Sequence, residues 1–133
     1  MLLDKAINKH RSERALESVI GILKASTEYS VSASNLAGTF IQWNEGATRI
    51  YGYHASEVAG RSTSEILQPP EDIEDDLPTV MRLEALRSGK WEGVLSRVRK
   101  NGRRFQATAV LLPRYDAEGR HCGYALTLTL EEV

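Results

Sequence analysis

Apolar positions at Leu16, Val19, Ile20 and Leu23 recur at i, i+3, i+4 and i+7 and so share one helical face. They predict a helix over about residues 5–25. The run Lys9-His10-Arg11-Ser12-Glu13-Arg14 ahead of them has no core-facing side. A helix polar at one end and amphipathic at the other reads as a connector, lying on its own domain or on a partner. After Ser26-Thr27 the period shortens. Tyr29 to Ser34 alternates weakly, Asn35-Leu36-Ala37-Gly38 supplies turn residues, and Thr39 to Trp43 is rich in β-formers, so a hairpin is predicted. Asn44 then caps a short helix over Glu45–Ile50, with acidic Glu45 at its positive end and Gly52 as terminator.

Short helical pieces are expected around Ser56–Val58 and Thr63–Leu67, ended by Pro69-Pro70. Glu71 to Gly89 reads as the longest internal helix, with acids at its start and Arg87 near its end. Pro78 marks the first turn of the regular part and leaves 71–77 as an irregular lead-in. The last third is β in texture. Trp91–Lys100 and Arg103–Pro113 flank Asn101-Gly102, a strong hairpin signal. Asp116-Ala117-Glu118-Gly119 turns into a third strand, Arg120–Leu130. The order β-β-α-α-α-α-β-β-β implies an α+β fold, a five-stranded antiparallel sheet with short helices on one face and an N-terminal flanking helix.

Composition narrows the function classes. At 133 residues the chain suits one domain, and a net charge of -1 carries no excess of basic charge for nucleic acid. Cys122 is the only cysteine, which rules out a disulfide framework or a cysteine-based metal cluster and fits a reducing, cytoplasmic setting. No apolar run approaches the roughly 20 residues of a membrane span, and Asp4, Lys5 and Lys9 interrupt any signal-peptide core. Direct membrane insertion is therefore not expected. Ser/His/Asp orders, phosphate loops and metal-ligand spacings are missing from the sequence. The carboxylates Asp72 to Asp76 read as a solvated helix start, so no catalytic or metal-binding residue is assigned and catalysis by this chain is not expected.

Five pieces in order carry a family resemblance. They are Asn35-Leu36-Ala37-Gly38, Trp43-Asn44, Tyr51-Gly52-Tyr53 with Glu57 and Gly60, Gly89-Lys90-Trp91-Glu92-Gly93 with Arg99-Lys100-Asn101-Gly102, and Asp116…Gly119…Gly123. Together they resemble the PAS domain, the sensory-box module of bacterial-type signalling proteins, over about residues 20–130. Two departures stand out. Asn35 replaces the family's usual Asp, and the end Leu128-Thr129-Leu130-Glu131-Glu132-Val133 lacks its Asp-x-Thr motif. On this basis residues 1–24 are expected to form the flanking connector and 25–133 the sensor domain.

The resemblance implies a cavity between the inner sheet face and the helices. In flavin-binding relatives the Phe register faces it, which turns Phe105, Ala107 and Ala109 inward. The same register turns Arg97 and Leu95 inward on the preceding strand, Ser32 and Ser34 on the first, and His121, Gly123, Ala125 and Thr127 on the last. Ile41, Ala47, Ile50 and Met81 complete the expected lining. Two readings stay open: a small ligand with a carboxylate or phosphate on Arg97, or collapse of Trp43, Met81 or Leu95 into the space with Arg97 snorkelling to water. The opposite face, carrying Val98, Val110, Leu112, Tyr124, Leu126 and Leu128, would be apolar and need a cover. Leu16, Val19, Ile20 and Leu23 supply one, from the same chain or a partner in a homodimer.

The family's cofactors leave partial traces. The segment matching the flavin-adduct motif is Gly60-Arg61-Ser62-Thr63-Ser64, without the cysteine, and no histidine lies on the long helix over 71–88 for haem. His54 reads as a cap residue, and His121 as a remote axial candidate. The cofactor is thus unassigned: a covalent flavin adduct and haem are not expected, and non-covalent flavin and a small organic ligand stay open. Glu57 is expected to pair with Arg99 or Lys100. The resemblance places the module in a two-component sensor histidine kinase whose output domain follows in the same polypeptide. The alternatives are a ligand-free dimerisation or docking module, or the input of a cyclic-dinucleotide enzyme or transcription regulator.

Overall fold

The computed structural model describes residues 29–61 and 66–130. Leu16, Val19, Ile20 and Leu23, and most of the piece expected around Thr63–Leu67, lie outside them. The strands are β1 (Ser30–Asn35), β2 (Phe40–Trp43), β3 (Trp91–Val98), β4 (Arg104–Tyr115) and β5 (His121–Leu130). Between β2 and β3 run α1 (Glu45–Tyr51), α2 (Ala55–Val58), α3 (Pro70–Glu74) and α4 (Leu77–Ser88). The strands form one antiparallel sheet in the order β2-β1-β5-β4-β3, so the first hairpin is joined to the last three strands through β1 and β5.

The turn after β1 is built by Asn35, whose Oδ1 accepts from the N–H groups of Ala37 and Thr39 at 3.0 and 3.1 Å. This is the Asx geometry that an Asp would otherwise supply. Asn44 does more than cap α1. Its Oδ1 accepts from Ala47 N and Val31 N at 2.8 and 2.9 Å, and its Nδ2 donates to Tyr29 O at 2.9 Å. One side chain therefore pins the start of the sheet to the first helix. Gly52 ends α1 in the left-handed region at φ 87°, its N–H bonded to Thr48 O. Three further backbone bonds tie the helical segment to both sheet edges: Phe40 N to Arg61 O, Val98 N to Leu67 O, and Lys100 N to Tyr51 O.

Two expectations are corrected along this segment. Residues 71–77 are no irregular lead-in, because Pro70–Glu74 is a helical turn of its own with Pro70 at its start. The acids Glu71 and Asp72 belong to that turn, whereas the first turn of α4 holds no acid. Pro78 does sit in the first turn of α4. Asp76 joins the two helices at φ 58°, the one positive φ outside glycine among the described residues.

The larger correction concerns β5. Leu126 pairs with Leu111, Leu128 with Ala109, and Tyr124 with Pro113. Directly paired residues share a face, so Tyr124, Leu126 and Leu128 stand on the core side, and all three are buried there. Ala125 and Thr127 pair with Leu112 and Val110 on the opposite face. The cause is the irregularity between Arg114 and Tyr115, next to the Asp116–Gly119 turn. A slip of one residue moves every side chain of a strand to the other face. Gly123 sits at this crossing, where a Cβ would lie 1.9 Å from Ser34 O.

The core lies between the helices and this inner face, with Tyr51, Val58, Leu67, Leu95, Ala107, Ala109 and Leu128 at its centre. Phe40, Trp43, Tyr51 and Phe105 form a chain of ring contacts at centroid spacings of 5.3, 5.2 and 5.6 Å. The opposite face keeps Val31 and Ala33 of β1 with Val110, Leu112 and Ala125, packed outside the main core.

Candidate functional site

Helix α4 packs on β3 and β4, and α3 stands at its N-terminal end. Between these helices, the inner face of the sheet and the Asn35–Gly38 turn lies a cavity of about 380 Å³. That volume falls in the range of small-molecule sites, roughly 300–1,000 Å³. Its apolar wall is Phe40, Leu95, Leu111, Leu126 and Met81, and Ser32, Ser34 and Tyr124 add polar atoms. Leu36 and Asp76 stand on its exposed side with Ile73 and Arg82.

Arg97 lines this cavity and is only 4% exposed. Its place follows from register, since it pairs with Phe105 and shares the inner face of β3 with Leu95. The Nε donates to the Tyr51 hydroxyl at 3.1 Å, and its Cζ lies 5.8 Å from the Tyr51 ring. Among the described residues no carboxylate reaches the guanidinium and nothing bonds its two terminal nitrogens. Tyr51 is fully buried. Burial pushes its phenol up, and the neighbouring Arg97 cation pulls it partly back. Tyr124 is likewise raised by burial, opposed by the Arg82 charge.

Arg97 does not snorkel to bulk water, and Trp43 does not fill the space. The Trp43 indole N–H is held by Tyr53 O and Thr48 Oγ1 at 3.0 and 3.2 Å, away from the cavity. Of the expected lining, Ser32, Ser34, Met81, Leu95 and Arg97 meet at the cavity. Ala47, Ile50, Ala107 and Ala109 are buried in the core behind it, and Phe105 packs on Tyr51. Ile41 is half exposed on β2 and away from the cavity, displaced by the irregularity between Ala33 and Ser34. Ala125 and Thr127 are removed from the lining by the β5 register, and Tyr124 and Leu126 take their place.

The bulky alternation Tyr124, Leu126, Leu128 against Ala125, Thr127, Thr129 was the available signal for that register, because the larger apolar set belongs inside. Asp72, Ile73 and Asp76 had no such signal, since only the chain reversal at Asp76 brings them to the cavity. His121 lies between the Tyr115 and Tyr124 rings at 5.8 and 4.8 Å, with Nε2 3.0 Å from Gly123 O. His54 occupies the N-cap of α2. Glu57 pairs with Lys100, while Arg99 bonds Ile50 O and covers the Phe105 ring at 4.4 Å. Among the described residues no group of three His, Cys, Asp or Glu could hold a metal ion, and no helix is long and apolar enough to cross a membrane.

The molecule is thus an antiparallel sheet with helices over one face and a cavity between them. The chain belongs to the PAS domain family, whose profile matches residues 28–129. It is 33% identical over 97 residues to two-component system protein A of Emericella nidulans, a match covering 73% of this chain and 14% of that protein. Among solved structures, the PAS domain of a protein from Colwellia psychrerythraea superposes with a TM-score of 0.77 at 20% identity, over 88% of this chain and 97% of that one. A PAS domain in complex with ethanol, from a LuxR-family transcriptional regulator of Burkholderia thailandensis, gives 0.63 at 16% identity, over 77% and 88%. An RNA-binding light-oxygen-voltage receptor gives 0.63 at 17%, over 86% and 32%. The structural likenesses carry the fold, and this chain spans 14% of the Emericella protein.

Proposed function

We propose that this PAS domain is the input module of a two-component sensor histidine kinase, that it binds a small molecule in its cavity, and that catalysis belongs to an output domain elsewhere in the polypeptide. The observation that carries the ligand is the buried guanidinium of Arg97, without a counter-ion among the described residues, in a cavity of about 380 Å³. A buried cation with no acidic partner among the described residues is costly, and an anion in the cavity would offset that cost. The two-component output is supported by the likeness to the Emericella protein, of which this chain spans 14%.

Arg97 also suggests the relay. Its Nε holds Tyr51 at the end of α1, so a ligand drawing on the guanidinium shifts the balance between two positions of that helix against the sheet. The apolar opposite face, Val31, Ala33, Val110, Leu112 and Ala125, is proposed as the dimer face, covered by the stripe Leu16, Val19, Ile20 and Leu23. The module is taken to work in the cytoplasm, with its ligand-pocket set now Ser32, Ser34, Met81, Leu95, Arg97, Tyr124 and Leu126.

Native mass spectrometry of protein purified from cells, compared with its denatured mass, tests the reading. An added mass lost on denaturation is expected. A bare mass, together with no thermal shift across a metabolite panel, overturns the small-molecule reading in favour of a ligand-free docking module.

A further inference from the structure

The reading above leaves the ligand's chemistry open, and the following rests on it. We propose that the cavity takes a monocarboxylic acid with a mid-sized apolar body, its carboxylate bound head-first by Arg97.

The shape of the free donor edge comes first. Tyr51 occupies the Nε side of the guanidinium at 3.1 Å, which leaves the two terminal nitrogens as an end-on fork. Such a fork matches the two oxygens of a carboxylate, with two parallel charge-assisted bonds in one plane. Charge is the second constraint. Arg97 is the single buried cation of the lining, and the other charged side chains there, Asp72, Asp76 and Arg82, stand at the more exposed side. A monoanion neutralises the buried half of the cavity. A phosphate dianion would leave one charge uncompensated there, facing two aspartates.

The remaining surface sets the body of the ligand. Phe40, Leu95, Leu111 and Leu126 supply an apolar wall for that body, with the polar atoms of Ser32, Ser34 and Tyr124 beside it. Packed to the density of a protein interior, about 380 Å³ holds roughly twenty non-hydrogen atoms at most. Leu36 and Ile73, 63% and 39% exposed, form an apolar rim on the exposed side, where the tail of such an acid would leave the cavity.

The test is a series with one eight-carbon tail and four head groups: octanoate, octanol, octylamine and octyl phosphate. Each is titrated calorimetrically into the chain and into Arg97→Met and Arg97→Lys variants. Octanoate is expected to bind at least about tenfold tighter than octanol. R97M should erase that preference while keeping octanol binding, and R97K should keep part of it. If R97M does not fold, the wild-type series and R97K still decide. Octanol equal to octanoate, or octyl phosphate tighter than it, overturns the carboxylate class and leaves the small-molecule reading standing. No binding by any of the four also overturns the acid, and only a bare native mass with no metabolite shift takes the small-molecule reading with it.

Discussion

Asn44 shows how much one polar side chain can organise. It satisfies the N–H of Ala47 inside α1 and that of Val31 inside β1, and it donates to Tyr29 O. Cutting it to alanine removes a helix cap, worth about 0.5–2 kcal/mol, and orphans the buried Val31 N–H, at about 1–3 kcal/mol. Asn44→Ala is therefore expected to cost about 2–4 kcal/mol in urea unfolding. A loss below about 0.5 kcal/mol would show that water replaces the side chain. The cap was legible in the sequence because its partner lies three residues on. The bond to Val31, thirteen residues back, was not, because nothing local encodes it. Arg97 divides in the same way: alternation placed it inward, but its lack of an acidic partner among the described residues depends on which carboxylates the helices carry elsewhere.

At the scale of elements, ion pairs fasten the helices to the β3–β4 hairpin. Lys100 reaches Glu57 of α2, and Arg104 reaches Glu71 of α3. The Glu57 carboxyl is held below the usual range, first by the His54 N–H and then by Lys100, and the Glu71 carboxyl by Arg104. Both are ionised more readily folded than unfolded. Their contribution is present above the ordinary glutamate value and is lost as pH falls through the lowered native values. Thermal melts should thus drop on acidification through about pH 5 to pH 3, and less steeply in a Glu57→Gln, Glu71→Gln double variant. Parallel curves for both proteins would contradict the assignment. Because both pairs are exposed, the effect should also shrink in high salt. The elements were legible in kind and order, and the two glycine-bearing turns set the last three strands. The face of β5 is misplaced by a register extended from β4, because the irregularity at Arg114/Tyr115 reverses it, and only the bulky alternation within β5 itself signals the inner side.

For the whole molecule, the sheet has two unlike faces. One meets the helices and the cavity. The other buries Val31 and Ala33 and carries a half-buried mixed surface in which Val110 pairs with Thr127 and Leu112 with Ala125. If that face is the dimer contact, the chain should scatter light as a dimer, and Val110→Glu should shift it to a monomer with an unchanged far-ultraviolet spectrum. A monomeric parent chain would remove the dimer from the proposal. The sequence announced the layered α+β form because helix and strand signals fell in separate blocks. It could not announce which apolar strand positions lay outside, since both faces carry them.

The strand order has a kinetic consequence. Strand β1 has no neighbour on its inner side except β5, with Ser30 opposite Leu128 and Asn35 opposite Gly123. The two partners are separated by nearly the whole module, so this pairing must close a long loop before any of its contacts is gained. On a ribosome, the first hairpin would wait unpaired until the last strand emerged. The wall of the cavity that β5 supplies, Tyr124 and Leu126, would then be the last part of the site to exist.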